Sequence, residues 1–232
     1  ISIKENFVDS FILEKKKKIN SFFKIEDKVV GEKVASKINR LHKILKKKGS
    51  SNIFISAPEN VAWLLNIRGN DNPNSPIPNS RLILDKYKNI FVFCDLKKIK
   101  NIRKKIKYKK IKFLNFNQFF DVVSNLDQKN FAIDKLTCSV YFQSLIESRF
   151  YINLYEDPIY HLKSIKNKIE IQNMKLAHIK DGAALTKFLF WIKQKKNFGF
   201  DELFLEKKLE SFRKKNKDYI FPSFETIFLK PL

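Results

Sequence analysis

Short apolar runs alternate with helix-like segments through the middle of this 232-residue chain. Six runs of four or five residues are rich in isoleucine, leucine, valine and phenylalanine, as buried strands are. They are NIFIS (52–56), RLILD (81–85), IFVFC (90–94), IKFL (111–114), NFAID (130–134) and YINL (151–154). Helices are expected between them, at 58–65, 95–106, 117–126 and 138–149. Strands that alternate with helices predict an α/β domain with a mixed sheet. The short KYKN link after RLILD predicts an antiparallel hairpin within that sheet.

A helix with one apolar face is expected at 27–48, before the first of these strands. Its apolar positions recur at helical spacing, and Gly49 follows its final lysines. These positions are Val30, Val34, Ile38, Leu41 and Leu45. Residues 1–26 are interpreted as a linker or the end of a preceding domain, because the lysines at 15–18 interrupt its apolar pieces.

The pattern changes at Asp157, after which strands no longer alternate with helices. Three helices are expected there, at 159–167, 168–196 and 201–215. Asp201 is a suitable N-cap for the third helix, and FPSFETIF (221–228) is strand-like. The apolar stripe of the long second helix is wide, which indicates packing over much of its surface. We therefore predict a boundary near residue 157, between a domain at 27–157 and a second unit at 158–232.

The net charge of +23 raises the question of a nucleic-acid partner. Six of the 47 basic residues are arginine, which leaves 41 lysines. Phosphate recognition favours arginine, whereas Lys, Asn, Ile and Phe share A/T-rich codons, so the excess indicates compositional bias. In the densest run, KKIKNIRKKIKYKKIK (97–112), Ile99, Ile102 and Ile106 lie at helical spacing, which predicts a helix with solvated lysines. We expect no nucleic-acid partner.

No membrane partner is expected either, because no apolar stretch reaches the roughly 18–20 residues of a membrane span. Cys94 and Cys138 lack metal-ligand spacing and are interpreted as small buried apolar side chains. Two unpaired thiols fit a reducing compartment, so a cytoplasmic location is expected.

The common catalytic motifs are absent from the sequence: it contains no GxSxG, HExxH, P-loop or glycine-rich dinucleotide loop. Its histidines are His42, His161 and His178. His42 is expected to be solvated among lysines, and His161 to have a surface or capping role. His178 is interpreted either as a core-edge histidine bonded to a neighbour, with Asp181 within reach on the same helix face, or as a substrate-proximal group.

Three blocks of the sequence resemble the three-domain type of Xaa-Pro aminopeptidase, in the creatinase/prolidase-like metallopeptidase family. APENVAWLLNIRGNDNPNSPIPNSRLIL (57–84) is similar to that family's middle domain, with its AWL-N-RG-D helix and loop followed by a strand. DPIYHLKSIKNKIEIQNMKLAHIKDGAALTKFLFWI (157–192) resembles its entry into the catalytic domain, and FPSFETI (221–227) matches its SFxTI segment. The residues matched in the second block are Lys166, Asn167, Glu170, Met174, Ala177, His178, Asp181, Ala184, Leu185 and Trp191.

The resemblance implies a fold, an activity and partners. The fold is a mixed-sheet creatinase N-terminal-like α/β domain, followed by the truncated helical start of a pita-bread catalytic domain. The activity is metal-dependent removal of the N-terminal residue from peptides with proline second. Two divalent metal ions, manganese by resemblance, would activate a bridging water. The family is dimeric, and its middle domain borders the active-site entrance.

The sequence departs from this pattern after SFETI, where it continues as FLKPL and stops. The family continues with two metal-binding aspartates, a histidine and two glutamates, none of which can be placed here. The chain is therefore expected to be a fragment that binds no metal, carries no catalytic residue and is inactive alone. The alternative is a non-catalytic remnant that acts as a dimerisation or peptide- or protein-binding module.

The candidate site residues lie around the loop after the first block and on the long helix. Pro73, Pro76 and Pro78 restrict this loop, and a restricted loop beside a cleft can shape it. The candidates for the substrate entrance or a subunit contact are Trp63, Arg68, Asp71 and His178. The alternative for Arg68 and Asp71 is a local ion pair that organises the loop.

The long helix would lie against the catalytic sheet in the intact family fold. We therefore expect exposed apolar surface at Ile171, Leu185, Phe188 and Leu189 in this chain.

Overall fold

A six-stranded mixed sheet lies at the centre of the computed structural model, which describes residues 20–127, 130–195 and 199–224. The strands are β1 Phe23–Lys24, β2 Asn52–Ile55, β3 Ile67–Arg68, β4 Arg81–Leu84, β5 Ile90–Phe93, β6 Ile111–Leu114, β7 Asn130–Ile133 and β8 Tyr151–Leu154. The helices are α1 Asp27–Val30, α2 Val34–Lys47, α3 Pro58–Leu65, α4 Phe119–Ser124, α5 Val140–Glu147, α6 Pro158–Ser164, α7 Lys168–Gln194 and α8 Glu202–Arg213. Short 3₁₀ turns occupy Leu96–Ile99 and Phe116–Gln118.

The order of strands in the sheet is β6-β5-β4-β2-β7-β8. The β5–β6, β2–β7 and β7–β8 pairs are parallel, whereas the β2–β4 and β4–β5 pairs are antiparallel. All six predicted strands lie in this sheet, and the predicted hairpin is the β4–β5 pair. The predicted mixed α/β fold is confirmed.

Alternate side chains of each strand enter two separate cores, one on each face of the sheet. Ile53 and Ile55 face one core with α2, α3 and α6, whereas Phe54 faces the other with α4 and α5. The second core is aromatic: the ring of Phe119 lies 5.1 Å from that of Phe54 and 5.0 Å from that of Phe93, between centroids. The domain therefore consists of three layers, with helices on both faces of the sheet.

Two of the helix predictions are wrong in detail. The helix expected at 27–48 is interrupted at Gly31, whose φ of +73° ends α1 before α2 begins. The segment at 95–106 is a 3₁₀ turn followed by further turns rather than an α-helix. There the Lys98 carbonyl accepts the Phe22 N–H at 2.8 Å, which removes it from a helical ladder. The predicted side-chain pattern holds nonetheless, because Ile99 and Ile102 are buried and most of the lysines are exposed.

The described part of the segment predicted as a linker is tied to the domain. Phe22 is fully buried, and β1 pairs antiparallel with β3. Likewise, Ile159 and Leu162 of α6 belong to the first core, although they follow the predicted boundary. The domain limits at residues 26 and 157 stay predictions. Residues 221–224 are not in a strand, and the rest of the predicted strand at 221–228 lies outside the described residues.

Two antiparallel helices, α7 and α8, extend from the sheet domain. Exposed apolar side chains were expected on α7, and this is confirmed for Ile171, Leu185 and Leu189, which are 43%, 39% and 49% exposed. It is wrong for Phe188, which is 2% exposed because its ring stacks on Trp191 next to α8. Within the described residues, no helix has the length and apolar character needed to cross a membrane.

Candidate entrance and interface region

The helix α3 begins and ends as its sequence predicts. Pro58 occupies the first turn, where its missing N–H costs nothing. Asn66 ends the helix in the left-handed conformation with a φ of 54°, which asparagine tolerates better than most residues. Its side-chain Nδ2 donates to the Glu32 carbonyl at 2.9 Å, so the end of α3 is bonded to the turn between α1 and α2.

A buried lysine on α2 meets this turn, and it was not anticipated from the sequence. Lys37 is 1% exposed, and its ammonium lies 4.0 Å from the centroid of the Trp63 ring. It donates to the Trp63 carbonyl at 2.8 Å and to Asn66 Oδ1 at 2.7 Å. Burial lowers the pKa of Lys37 to about 8, although Glu32 and Glu170 oppose the shift. The signal was present, since position 37 lies on the apolar stripe of α2, three residues after Val34 and four before Leu41.

Arg68 and Asp71 bind different partners, so the alternative of a local ion pair between them is wrong. Arg68 Nη1 donates to the carbonyls of Ala62 (3.1 Å) and Ile67 (2.8 Å), which joins α3 to β3. Burial lowers the pKa of the Arg68 guanidinium, and Glu170 counteracts this. Asp71 accepts the Asn79 N–H at 2.6 Å and pairs with the ammonium of Lys98. Both side chains therefore brace the backbone, at opposite ends of the loop.

The proline-rich loop folds back on itself. The Gly69 N–H donates to the Pro76 carbonyl at 3.2 Å, and a Cβ on Gly69 would lie 2.7 Å from Pro78 Cα. Only glycine fits this close approach. The loop places Asn74 and Pro76 at the rim of a groove of about 640 Å³, which α7 and the segment after α8 complete.

The groove contains two ion pairs but not the predicted histidine. Arg213 Nε donates to Asp181 Oδ1 at 2.7 Å, and Lys180 pairs with Asp218. His178 is exposed on α7, so its interpretation as a core-edge histidine is wrong, and Asp181 is bonded to Arg213 instead. A substrate-proximal role for His178 stays a prediction.

Of the other two histidines, one is exposed and one is half-buried. His161 is exposed, as predicted. His42 is half-buried and its Nε2 donates to the Lys86 carbonyl at 2.8 Å, so the prediction of a solvated side chain is wrong.

The start of α7 carries a capping box. Asn167 Oδ1 accepts the N–H groups of Ile169 (2.9 Å) and Glu170 (3.0 Å), and Glu170 Oε2 accepts the Asn167 N–H at 2.9 Å. Asn167 Nδ2 also donates to the Val30 carbonyl at 2.8 Å. This last bond fixes the first turn of α7 against the α1–α2 turn.

These contacts form a single cluster, which we name the junction. Its members are Gly31, Lys37, Trp63, Asn66, Arg68, Asn167 and Glu170. It brings the first two sequence blocks together at one place. Of the four predicted site residues, Trp63 and Arg68 belong to the junction, whereas Asp71 and His178 do not.

The described residues do not fit a two-metal centre. Among them, no group of three or more His, Cys, Asp or Glu side chains could hold a metal ion. The thiols are also unsuited to attack, because burial raises the pKa of Cys94 to about 12 and that of Cys138 to about 11.

The fold defines a class of protein: a three-layer α/β domain that is followed by a pair of packed helices, α7 and α8. Residues 14–170 match the family model described as the Creatinase/Prolidase N-terminal domain, and the chain belongs to this family.

Curated relatives carry peptidase names. The chain is 31% identical to "Xaa-Pro aminopeptidase 1" of Dictyostelium discoideum over 97% of its own length and 36% of that protein. It is 29% identical to a "Probable Xaa-Pro aminopeptidase P" of Leptosphaeria maculans, over 85% of this chain and 34% of the relative. The chain thus spans about a third of the length of these relatives.

The similar solved structures also carry peptidase names. The X-prolyl aminopeptidase of Caenorhabditis elegans, described as a cytosolic enzyme with a di-nuclear active site, aligns with a TM-score of 0.88 at 25% identity. The alignment covers 98% of this chain and 38% of that one. The Xaa-Pro dipeptidase of Bacillus anthracis aligns at 18% identity with a TM-score of 0.60, which shows similarity of fold.

Proposed function

We propose that this chain supplies the middle domain and the start of the catalytic domain of an Xaa-Pro aminopeptidase. That enzyme is a hydrolase that removes the N-terminal residue from peptides with proline second. The observation that carries the proposal is the alignment with the C. elegans X-prolyl aminopeptidase, which extends over 98% of this chain.

The exposed apolar side chains of α7 and α8 support this assignment. Leu189, Phe190 and Leu203 are 49%, 66% and 66% exposed, on helices that pack on each other. Side chains of this kind are normally covered by further structure. In our proposal the rest of the catalytic domain covers them, with 27–157 as the first unit and 158–232 as the start of the second.

The metal ions of the proposed enzyme bind outside the described residues. We infer two divalent ions, manganese by resemblance, and the description of the C. elegans enzyme as di-nuclear supports the number. Its description as cytosolic supports a cytosolic location. A homodimer is proposed from the family resemblance.

In this proposal the chain's own residues shape and hold the entrance rather than react. Trp63 and Arg68 fix the end of α3, and Asp71 closes the loop that carries Asn74 and Pro76 to the groove. His178 is exposed on α7 and is available for contact with substrate or a partner subunit.

The test uses the complete protein. The reading frame on both sides of this segment is sequenced, and the whole product is expressed and incubated with Arg-Pro-Pro and with Arg-Ala-Pro as the matched control. We expect release of arginine from Arg-Pro-Pro only, loss of release with EDTA and recovery with manganese. Failure to cleave Arg-Pro-Pro with any divalent metal would overturn the proposal and favour the non-catalytic alternative.

A further inference from the structure

We propose that the outer edge of β6 is a docking site for an acidic, extended peptide segment, which adds to the six-stranded sheet as a further strand. The inference goes beyond the proposed peptidase activity and does not depend on it. Three observations carry it: the outward backbone groups of β6, a groove on each face of this edge, and the positive charge around the larger groove.

Half of the backbone hydrogen-bonding groups of β6 point away from the sheet. β6 is the last strand in the sheet order and is parallel to β5. The Lys110 carbonyl accepts the Ile90 N–H of β5 at 2.8 Å, and the Leu114 carbonyl accepts an N–H on the same side at 3.0 Å. Successive residues of a strand direct these groups to opposite sides, so those of Ile111 and Phe113 face outward. No group among the described residues bonds to them, and such an open row is a template for another strand.

A groove lies on each face of this edge, where the alternate side chains of an added strand would point. Ile111 and Phe113 pack with the first core and Leu114 with the second, so the grooves lie on opposite faces of the sheet. The larger groove, of about 680 Å³, lies between β6 and the preceding turns, and its apolar lining includes Ile99, Ile106, Tyr108, Ile111 and Phe113.

The smaller groove, of about 240 Å³, lies between β6 and α4. Its apolar lining consists of Phe91, Leu114, Val122 and Leu126. Asp121 also lines it, so an apolar side chain suits this groove better than an acidic one. An extended segment can therefore place alternate side chains in the two grooves while its backbone bonds to β6.

The surroundings of the larger groove are strongly positive. The segment from 97 to 112 contains ten basic residues among its sixteen and no acidic one. Of the described residues that line the larger groove, none is acidic, and four are exposed cations: Lys100, Arg103, Lys109 and Lys112. In the part of the chain that the structure describes, only Lys98 of this segment forms an ion pair, with Asp71. The larger groove therefore fits acidic side chains.

The charge and the free backbone groups together select the occupant. A second copy of this chain would bring its own basic edge against the first, and like charges across a strand pair are unfavourable. A nucleic acid would neutralise the charge, but it has no row of alternating amide donors and acceptors for Ile111 and Phe113. An acidic peptide meets both requirements, because its main chain supplies the hydrogen bonds and its side chains enter the grooves.

The test uses the complete product of the reading frame. The probe is fluorescein-labelled Glu-Val-Glu-Val-Glu-Val, in which β-branched residues favour an extended chain and the acidic side chains share one face. We expect its fluorescence anisotropy to rise on titration with the protein. The matched control, Glu-Glu-Glu-Val-Val-Val, has the same composition and charge without the alternation, and it should bind more weakly.

Backbone methylation of the probe tests strand pairing directly. One version is N-methylated at its glutamates and the other at its valines, so that both carry the same charge and the same number of methyl groups. Only one of these two sets of N–H groups faces β6 in an added strand. We therefore expect one methylated peptide to lose about tenfold in affinity and the other to bind like the parent probe.

Two double variants of the complete protein test the charge at the larger groove. Arg103→Glu with Lys109→Glu reverses two cations of its lining and should weaken binding about tenfold. Arg149→Glu with Lys135→Glu makes the same chemical change at exposed positions next to β8 and β7, at the other end of the sheet. This control should leave the affinity unchanged. Both variants should release arginine from Arg-Pro-Pro at the same rate as the unaltered protein.

Any of four results would overturn the inference. The first is failure of the probe to bind, and the second is equal affinity of the two methylated peptides. The third is equal affinity of the two double variants for the probe. The fourth is displacement of the probe by a short oligothymidylate that binds as tightly, which would show a general anion surface. Because the methylated peptides are tested on the unaltered protein, the inference stays falsifiable even if a variant does not fold.

Discussion

Replacing Gly31 by alanine should destabilise the chain by about 2 kcal/mol more than the same replacement at Gly49, through overpacking against α7. The two glycines form a matched pair, because both have a left-handed backbone, with φ values of +73° and +69°. They differ in surroundings. A Cβ at Gly49 meets nothing within 4 Å, whereas a Cβ at Gly31 would lie 2.4 Å from Asn167 Oδ1 and 2.8 Å from Ile169 Cβ.

The magnitude has two parts. An alanine in the left-handed conformation costs about 1–2 kcal/mol at either site. At Gly31 the clash must also displace the first turn of α7. Overpacking of this kind costs about 1–3 kcal/mol, and loss of the Asn167 cap about 0.5–2 kcal/mol. If the first turn of α7 moves away, the clash is relieved but the Asn167 cap is lost. The two costs are therefore alternatives, and we take about 2 kcal/mol, near the middle of these ranges, rather than their sum.

The measurement is urea unfolding of both variants, followed by circular dichroism at 222 nm and analysed at a common slope. The cost of Gly31→Ala should shrink in an Asn167→Ala background, where the nearest clashing atom is absent. Equal costs for Gly31→Ala and Gly49→Ala would refute the reasoning, because they would show that the contact with α7 carries no packing energy.

Three further predictions concern the same chain. Burial raises the pKa of Asp157 from 3.8 to about 6, so between these pH values the folded state binds more protons than the unfolded state. The free energy of unfolding should therefore fall as the pH rises from about 4 to about 6. In urea unfolding at a series of pH values, Asp157→Asn should reduce this dependence on pH. Asn66→Ala should lower the free energy of unfolding by about 2–4 kcal/mol, because it strains the left-handed backbone and removes an acceptor of the buried Lys37 ammonium. Asn74→Ala, at a φ of 57° in the loop, is the control and should show the backbone strain alone in the same assay. Phe188→Ala should cost about 3–5 kcal/mol because the ring is buried, whereas Leu189→Ala, at a half-exposed position, should change the unfolding midpoint little.

The sheet could be predicted because its signals are local. Each of the six strands in this sheet is a short apolar run, and its position matches the sequence prediction within one residue, whereas the two-residue strands β1 and β3 were not predicted. The helix α3 follows from Pro58 at its start and Asn66 at its end, two residues whose backbone preferences act at their own positions.

The errors occur where the cause lies far along the chain. The break at Gly31 reflects the close approach of Asn167, whose side chain is bonded to the carbonyl of Val30, 137 residues away from it. Within 95–106, the Lys98 carbonyl accepts the Phe22 N–H, and the Ile102 N–H binds the Ile99 carbonyl in the 3₁₀ pattern instead. Periodicity in a short window contains no information on such contacts. Lys37 was overlooked for a related reason: its position on an apolar stripe shows that it is buried but not which groups would meet it.

The residue types in the first two sequence blocks are explained by the geometry of the junction. Asn66 provides a left-handed helix end and an acceptor for Lys37, and Asn167 caps α7 while binding the α1–α2 turn. Both roles are structural, and neither depends on a catalytic reaction. A chain could therefore retain both blocks and position α7 correctly without being a catalyst, since the blocks report the joining of two units rather than the chemistry of the second. For this reason, the peptidase activity has to be tested on the whole protein, and the junction by stability and spectroscopy on the chain itself.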